Sequence, residues 1–267
     1  MRRIFALSGI TVAVCALACA QDSGQIVVPS RNSTRPRVVD VANNNGSITV
    51  KTYGGKDVLV ESGSIRARRE MQAPPGMRRI DIPGRGVEVE EQDNTITVRD
   101  HSPGGGEGIT VTVPVDTSLH LRSSNGSIRV DGVHGEVDAE SHNGSMHILN
   151  VSGSVLASTN NSRIEVTMDR VDASKPSAFS TLNGSVDVTL PADLKATMKM
   201  TTDNGSIFSD FDVTVGAGRA TTQANNTPDG RYRVRFDRTV QGTINGGGGA
   251  DLTFRSANGS IVIRKKK

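Results

Sequence analysis

The exported part of this sequence contains no thiol. The chain of 267 residues has two cysteines, Cys15 and Cys19, and both lie within the first 20 residues. Those residues read as an export signal that is removed from the mature protein. The remainder can therefore form no disulfide, hold no metal through cysteine and use no cysteine nucleophile.

Aromatic residues and long apolar runs are also scarce. Aromatics make up 3% of the chain and tryptophan is absent, which removes most stacking platforms for sugars or single-stranded nucleic acid. The net charge of +3 includes Arg2, Arg3 and four cations at 264–267, so the rest carries about −3. Nucleic acid is therefore not an expected partner. After the first 20 residues, no apolar run reaches membrane-spanning length.

The first 20 residues are interpreted as a signal peptide. Arg2 and Arg3 supply its positive start, residues 4–14 its apolar centre, and Ala18-Cys19-Ala20 a small-x-small cleavage site. Cleavage after Ala20 predicts export to the periplasm, cell surface or medium. The alternative is a lipoprotein anchored through Cys19, since Ala16-Leu17-Ala18-Cys19 resembles a lipidation signal.

Internal repetition is the dominant signal in the rest of the chain. The unit is Asn-Gly-Ser followed by alternating apolar residues, and Asn161-Ser162-Arg163 is a degenerate copy. Its spacing between residues 125 and 204 is 18, 18, 22 and 21 residues. Its intact copies begin at Asn45-Gly46, Asn125-Gly126, Asn143-Gly144, Asn183-Gly184, Asn204-Gly205 and Asn258-Gly259.

The chemistry of the unit indicates a turn followed by a strand. Alternating apolar and polar residues are typical of a half-buried strand. Gly is expected to supply a positive φ in the turn, and Asn to tolerate the left-handed region. If the units stack, the Asn and Ser side chains can form ladders from coil to coil. The twelve Asn and Gly residues are therefore structural candidates rather than a chemical site.

The repeat length decides between two all-β folds. Asn-Gly between alternating apolar residues also predicts hairpins, so an antiparallel sandwich or barrel is the alternative. The repeated 18-residue period instead favours a β-solenoid, in which stacked coils bury one continuous core. The predicted organisation is a signal peptide (1–20), a polar leader or linker (21–37) and a repeat domain (38–267), most regular over 113–264. Loops are expected over 66–79 and 101–108.

The repeat resembles the DUF4097 family, described as adhesin-like. The resemblance rests on Val113-Pro114-Val115, the Asn-Gly series, Leu190-Pro191 and the segment Thr243 to Gly248. It implies an exported β-repeat protein and carries over no catalytic residue. Family members usually have Asp or Lys after Asn-Gly where this chain has Ser, a departure that leaves the fold unaffected.

The sequence offers no recognised catalytic or metal-binding pattern. The histidines at 101, 120, 134, 142 and 147 lack metal-ligand spacing. The run Gly246 to Asp251 partly matches a calcium-binding repeat, but Thr253 stands where that repeat has a large apolar residue, so a turn is expected. No catalytic residue, cofactor or metal is predicted.

Two functional hypotheses remain. The first is a non-catalytic cell-envelope or surface protein that binds an envelope polymer or surface protein, with peripheral or lipid-anchored membrane association as a further option. The second is a carbohydrate-active enzyme on a β-helix, suggested by outward acids such as Asp138, Glu140 and Asp187. A groove in which three or more charged side chains converge would favour the enzyme. The basic tail, 264–267, is expected to be a solvated terminus.

Overall fold

A computed structural model describes residues 25–31, 36–63, 86–101, 108–216, 223–226, 232–235 and 239–267. The predicted signal peptide, Cys19 and the predicted loop 66–79 lie outside the described residues. Every described strand or helix of regular length is a strand, as the alternating sequence pattern predicts. Among the described residues, no helix has the length and apolar character to cross a membrane.

The described residues form twenty-two β-strands. The first eleven are β1 (Gln25–Val28), β2 (Arg37–Asn43), β3 (Ile48–Tyr53), β4 (Val58–Ser62), β5 (Val87–Gln92), β6 (Thr95–Asp100), β7 (Ile109–Pro114), β8 (Thr117–Ser123), β9 (Ile128–Asp131), β10 (His134–Ser141) and β11 (Met146–Thr159). The others are β12 (Ile164–Val171), β13 (Ser177–Thr181), β14 (Val186–Leu190), β15 (Ala196–Thr202), β16 (Ile207–Ser209), β17 (Val213–Val215), β18 (Gln223–Asn226), β19 (Tyr232–Arg235), β20 (Thr239–Ile244), β21 (Ala250–Ser256) and β22 (Ile261–Lys265).

The strands build two walls that share one core. The first wall has the spatial order β5-β6-β2-β8-β10-β11-β13-β21-β15-β20-β17. The second has the order β1-β4-β7-β3-β9-β11-β12-β14-β22-β16. The long strand β11 belongs to both walls. It changes wall near Asn150, whose φ is 54°.

One strand from each wall makes a coil, and the described strands form eight coils. From one end of the stack to the other, coils 1 to 8 are β6-β7, β2-β3, β8-β9, β10 with the start of β11, the end of β11 with β12, β13-β14, β21-β22 and β15-β16. Neighbouring coils pair in parallel. The fold is therefore the predicted β-solenoid and not the antiparallel sandwich or barrel.

The stacking order departs from chain order at both ends. Coil 2 comes first in the chain but lies between coils 1 and 3, where β2 pairs with both β6 and β8. Coil 7 comes last in the chain, and its strand β21 lies between β13 and β15. The 21-residue step from Asn183 to Asn204 therefore does not join neighbouring coils.

The 18-residue period sets the register of the central coils. Val137 lies opposite Leu119 on one side and Val155 on the other, a shift of one period each way. Each shift keeps apolar residues on the inner face, so they stack into buried columns. Phe179 and Phe254 continue a column with ring centroids 5.2 Å apart.

Antiparallel strands close the ends of both walls among the described residues. β5 pairs antiparallel with β6 at one end of the first wall, and β20 with β15 at the other. β4 and β1 similarly extend the second wall beyond β7. Residues 25–28 of the predicted polar leader thus form part of the folded body. Such end strands limit the edge available for pairing with another chain.

The basic tail is ordered, unlike the solvated terminus expected from sequence. β22 runs to Lys265. The Arg264 guanidinium donates to Asp187, and the Lys266 ammonium to Asp169. The Lys265 ammonium lies 5.2 Å from the centre of the Phe211 ring, which attracts it as a cation.

Candidate functional site

The turn asparagines form one continuous ladder along the stack. Each side-chain Nδ2 donates to the Oδ1 of the asparagine in the next coil, over 2.7 or 2.8 Å. The degenerate copy keeps its place through Asn161, so loss of its glycine does not interrupt the ladder. In stack order the ladder is Asn45, Asn125, Asn143, Asn161, Asn183, Asn258 and Asn204.

The turn glycines serve a different purpose from the one predicted. None of the six motif glycines, all within the described residues, has a positive φ, and neither do the motif asparagines. A Cβ on Gly144 would instead lie 1.8 Å from the carbonyl oxygen of Gly126 in the next coil. Gly126, Gly184, Gly205 and Gly259 have the same constraint at 2.0 or 2.1 Å. Glycine is required because the stacked backbones approach so closely.

A buried column of Ser and Thr accompanies the glycines and was not recognised in the sequence. Ser141 Oγ accepts the N–H of Gly144, and Ser123 Oγ that of Gly126. Other members donate to a carbonyl in the neighbouring coil, as Ser256 does to Gly184 over 2.8 Å. The available signal was a Ser or Thr two residues before the asparagine, as at Ser123, Ser141, Thr159, Thr181, Thr202 and Ser256.

The outer acids are held in ion pairs. The side chain of Asp187 is only 10% exposed and accepts from Arg163 over 2.7 Å and from Arg264 over 2.9 Å. The bond to Asp187 raises the pKa of Arg264. Glu140 faces Arg122, and Asp138 faces His120, each at 3.6 Å. These predicted outward acids therefore connect neighbouring strands instead of converging on one point.

The other predicted features occupy separate places. His101, His120, His134 and His147 each lie within 3.2–3.8 Å of a carboxylate, while His142 is exposed beside the ladder. The glycine run after Asn245 has positive φ angles and forms a tight turn. Within the described ranges, no group of three or more His, Cys, Asp or Glu side chains could hold a metal ion.

The most concave surface described is a cleft of about 980 Å³ at the corner opposite the ladder. Its floor contains small residues from consecutive coils, including Ser118, Gly135, Ser152 and Gly153. Close stacking again requires these glycines, since a Cβ on Gly153 would lie 2.1 Å from the Gly135 carbonyl oxygen. The absence of larger side chains leaves a trough across the strands. We call it the corner cleft.

The loop between β12 and β13 forms one side of the corner cleft. The Lys175 ammonium donates to Glu136 over 2.8 Å, which raises the pKa of Lys175. Asp172 accepts from the hydroxyl and the backbone N–H of Ser174, and these bonds lower the pKa of Asp172. The loop is therefore fastened to a strand two coils away and stabilised within itself.

Charged side chains do line this cleft, as the enzyme hypothesis requires. Glu136 is paired with Lys175, and Asp169 with Lys266. Asp116, whose side chain is 92% exposed, lies 3.8 Å from His134. Glycoside hydrolysis needs two carboxylates on opposite sides of a bond, one protonated or one free to attack. The observed pairing is better suited to holding the cleft in shape.

The comparisons with known proteins concern the fold and the family. No curated protein matches the chain in sequence. The crystal structure of a candidate cell adhesion protein from Clostridium sporogenes is similar with a TM-score of 0.46 and 8% identity, over 91% of this chain and 99% of that one. That of a candidate adhesin from Bacteroides fragilis has a TM-score of 0.35 and 12% identity, over 90% and 96%. The sequence profile of Toastrack DUF4097 matches residues 109–245. This match extends over half of the sequence, and the chain belongs to the Toastrack DUF4097 family.

Proposed function

We propose that this protein is an exported, non-catalytic binding module of the bacterial cell envelope or surface. The corner cleft is the observation that carries the proposal. It runs across strands of successive coils, and its floor is set by backbone contacts that leave no room for larger side chains. A rigid trough of this kind suits a long polar ligand.

The ligand class follows from the residues that line the cleft. Serine hydroxyls and paired charges offer donors and acceptors along its length. None of its described lining residues is aromatic, so hydrogen bonding rather than ring stacking would dominate. We expect an envelope polymer or an extended segment of a surface protein. The predicted signal peptide and the family support an envelope location.

Co-sedimentation with purified peptidoglycan sacculi and with whole bacterial cells tests the proposal. Ser152→Trp would fill the corner cleft, and Ser158→Trp places the same side chain on the first wall outside it. We expect Ser152→Trp to weaken binding about tenfold and Ser158→Trp to leave it unchanged. Equal binding by both variants and the original protein would contradict the assignment of the cleft.

The carbohydrate-active alternative rests on the acids of the same cleft, and the same samples test it. Release of soluble fragments or new reducing ends from the sacculi would indicate turnover. Loss of that release in both Asp116→Asn and Glu136→Gln would establish the enzyme reading and replace the present proposal. Binding without release supports the binding module.

A further inference from the structure

The sequence contains seven Asn-Gly pairs, and the fold exposes them unequally. Asn-Gly is the dipeptide most open to deamidation because glycine hinders attack least. The backbone nitrogen of Gly loses its proton and bonds to the Asn Cγ, while the Cγ–Nδ2 bond breaks and ammonia leaves. Water then opens the cyclic imide to aspartate or isoaspartate. The reaction needs a solvated glycine N–H and a movable Asn side chain.

The glycine environment changes along the ladder. Gly46, Gly126 and Gly144 are buried, and Gly184 and Gly259 are half-buried. Gly205, in coil 8, is exposed. The Gly126 and Gly144 N–H groups are also donated to serine hydroxyls at 2.9 and 3.0 Å. A base in solvent therefore has ready access to the nucleophile in the last coil and poor access in the central coils.

The asparagine amides follow the same gradient. In the middle of the ladder, Asn143 donates to Asn125 and accepts from Asn161, so both of its side-chain atoms are held. Asn204 donates to Asn258, and within the described residues its Oδ1 has no ladder partner because coil 8 ends the stack. Rotation of the Asn204 amide toward its glycine thus breaks one ladder bond rather than two.

Asn245 provides a second exposed pair for comparison. Asn245-Gly246 lies outside the ladder in the turn before β21, and both residues are exposed. The Asn245 Nδ2 donates to two carbonyl oxygens, those of Ala192 and Leu194 at 3.1 and 2.7 Å. Its amide is therefore held more firmly than that of Asn204, although its glycine is equally open to solvent.

We infer that Asn204-Gly205 is the principal site of spontaneous deamidation in the folded protein, and that stacking protects the pairs in the middle of the ladder. The product carries a carboxylate 2.8 Å from the Asn258 amide oxygen, where the original side chain donated a hydrogen bond. Deamidation therefore removes the terminal ladder bond and loosens coil 8. This inference does not depend on the proposed ligand.

Peptide mapping by mass spectrometry, with fragmentation that separates aspartate from isoaspartate, tests the inference. The purified protein is aged at pH 8 and 37 °C, folded or in urea. In the folded protein we expect Asn204 to convert about tenfold faster than Asn143, because reaction at Asn143 requires local opening. In urea the two rates should agree within about a factor of two, because the unfolded chain has lost the ladder.

Two variants separate exposure from ladder position. Ser141→Ala frees the Gly144 N–H and should speed conversion of Asn143 without changing Asn204. Asn204→Gln should remove the fastest modification while Asn245 continues at its original rate. Equal folded-state rates at Asn143 and Asn204, or faster conversion of Asn245 than of Asn204, would overturn the assignment.

Discussion

At the scale of single residues, close stacking has replaced turn geometry as the reason for the conserved-looking pattern within this chain. The motif glycines have ordinary φ angles. What they lack is room for a Cβ, since the neighbouring coil places a carbonyl oxygen about 2 Å from that position. The requirement belongs to the contact between coils, and for that reason the sequence of one coil does not reveal it.

Gly144→Ala measures this requirement directly. The added methyl meets the backbone of Gly126, which has no flexible side chain to move aside. We expect the free energy of unfolding to fall by about 3 kcal/mol, measured by urea denaturation. Gly54→Ala is the matched control, because a Cβ there has nothing within 4 Å and Gly54 has no positive φ. Equal effects of the two substitutions would refute the close-stacking explanation.

Asp187→Asn tests the ion pairs on the second wall. Asp187 in coil 6 joins Arg163 beside coil 5 to Arg264 in coil 7, and its side chain is largely buried. The neutral amide keeps the size but loses the charge that both guanidinium groups contact. We expect the melting temperature to fall by about 3 °C. Asp138→Asn, on the more open first wall, should change it less, and the reverse order would count against the bridge.

At the scale of elements, the period of the sequence predicted the coils but not their neighbours. The 18-residue spacing places Val137 against Leu119 and Val155 as observed. The insertion of coils 2 and 7 could not be predicted because every coil presents the same Asn-Gly backbone groups to its neighbours. The corner cleft was missed for a related reason. Its loop is the four-residue excess of the 22-residue step, a length difference that by itself says nothing about a cavity.

The loop between β12 and β13 should respond to acid. Hydrogen bonds from Ser174 lower the pKa of Asp172 below its usual value of 3.8 in the folded protein. Its stabilising contribution is therefore complete above that value and is lost as pH falls through the lower folded-state pKa. We expect the Ser174 amide resonance to shift toward its unfolded position below about pH 3.8.

Asp172→Asn supplies the control for this titration. The amide side chain does not ionise in this range, so the step in the Ser174 resonance should disappear while the remaining carboxyl groups titrate as before. A step of unchanged size in this variant would show that another acid controls the loop.

At the scale of the whole molecule, stability is expected to be distributed along the stack. Each coil contacts its two neighbours, so removal of one coil should affect the adjacent coils most. Deleting residues 250–267 removes coil 7, including Phe254, and leaves Phe179 without its stacking partner. We expect hydrogen exchange to rise strongly in β13 to β16 and to remain slow in β8 to β10.

Deletion of Lys267 alone is the control, because the tail contacts described above involve the three residues before it. It should leave the exchange pattern of the original protein. Collapse of protection in β8 to β10 after removal of coil 7 would instead mean that the solenoid unfolds as one indivisible unit.

The placement of the last coil has a consequence for how the chain reaches its final form. While residues 250–267 are still being synthesised or threaded across a membrane, coils 6 and 8 already exist and offer each other matching backbone edges. If they join early, that pairing must reopen to admit β21 and β22. The slowest step of maturation would then be the correction of a contact between two well-formed neighbours, and its rate would depend on when the carboxyl terminus becomes free.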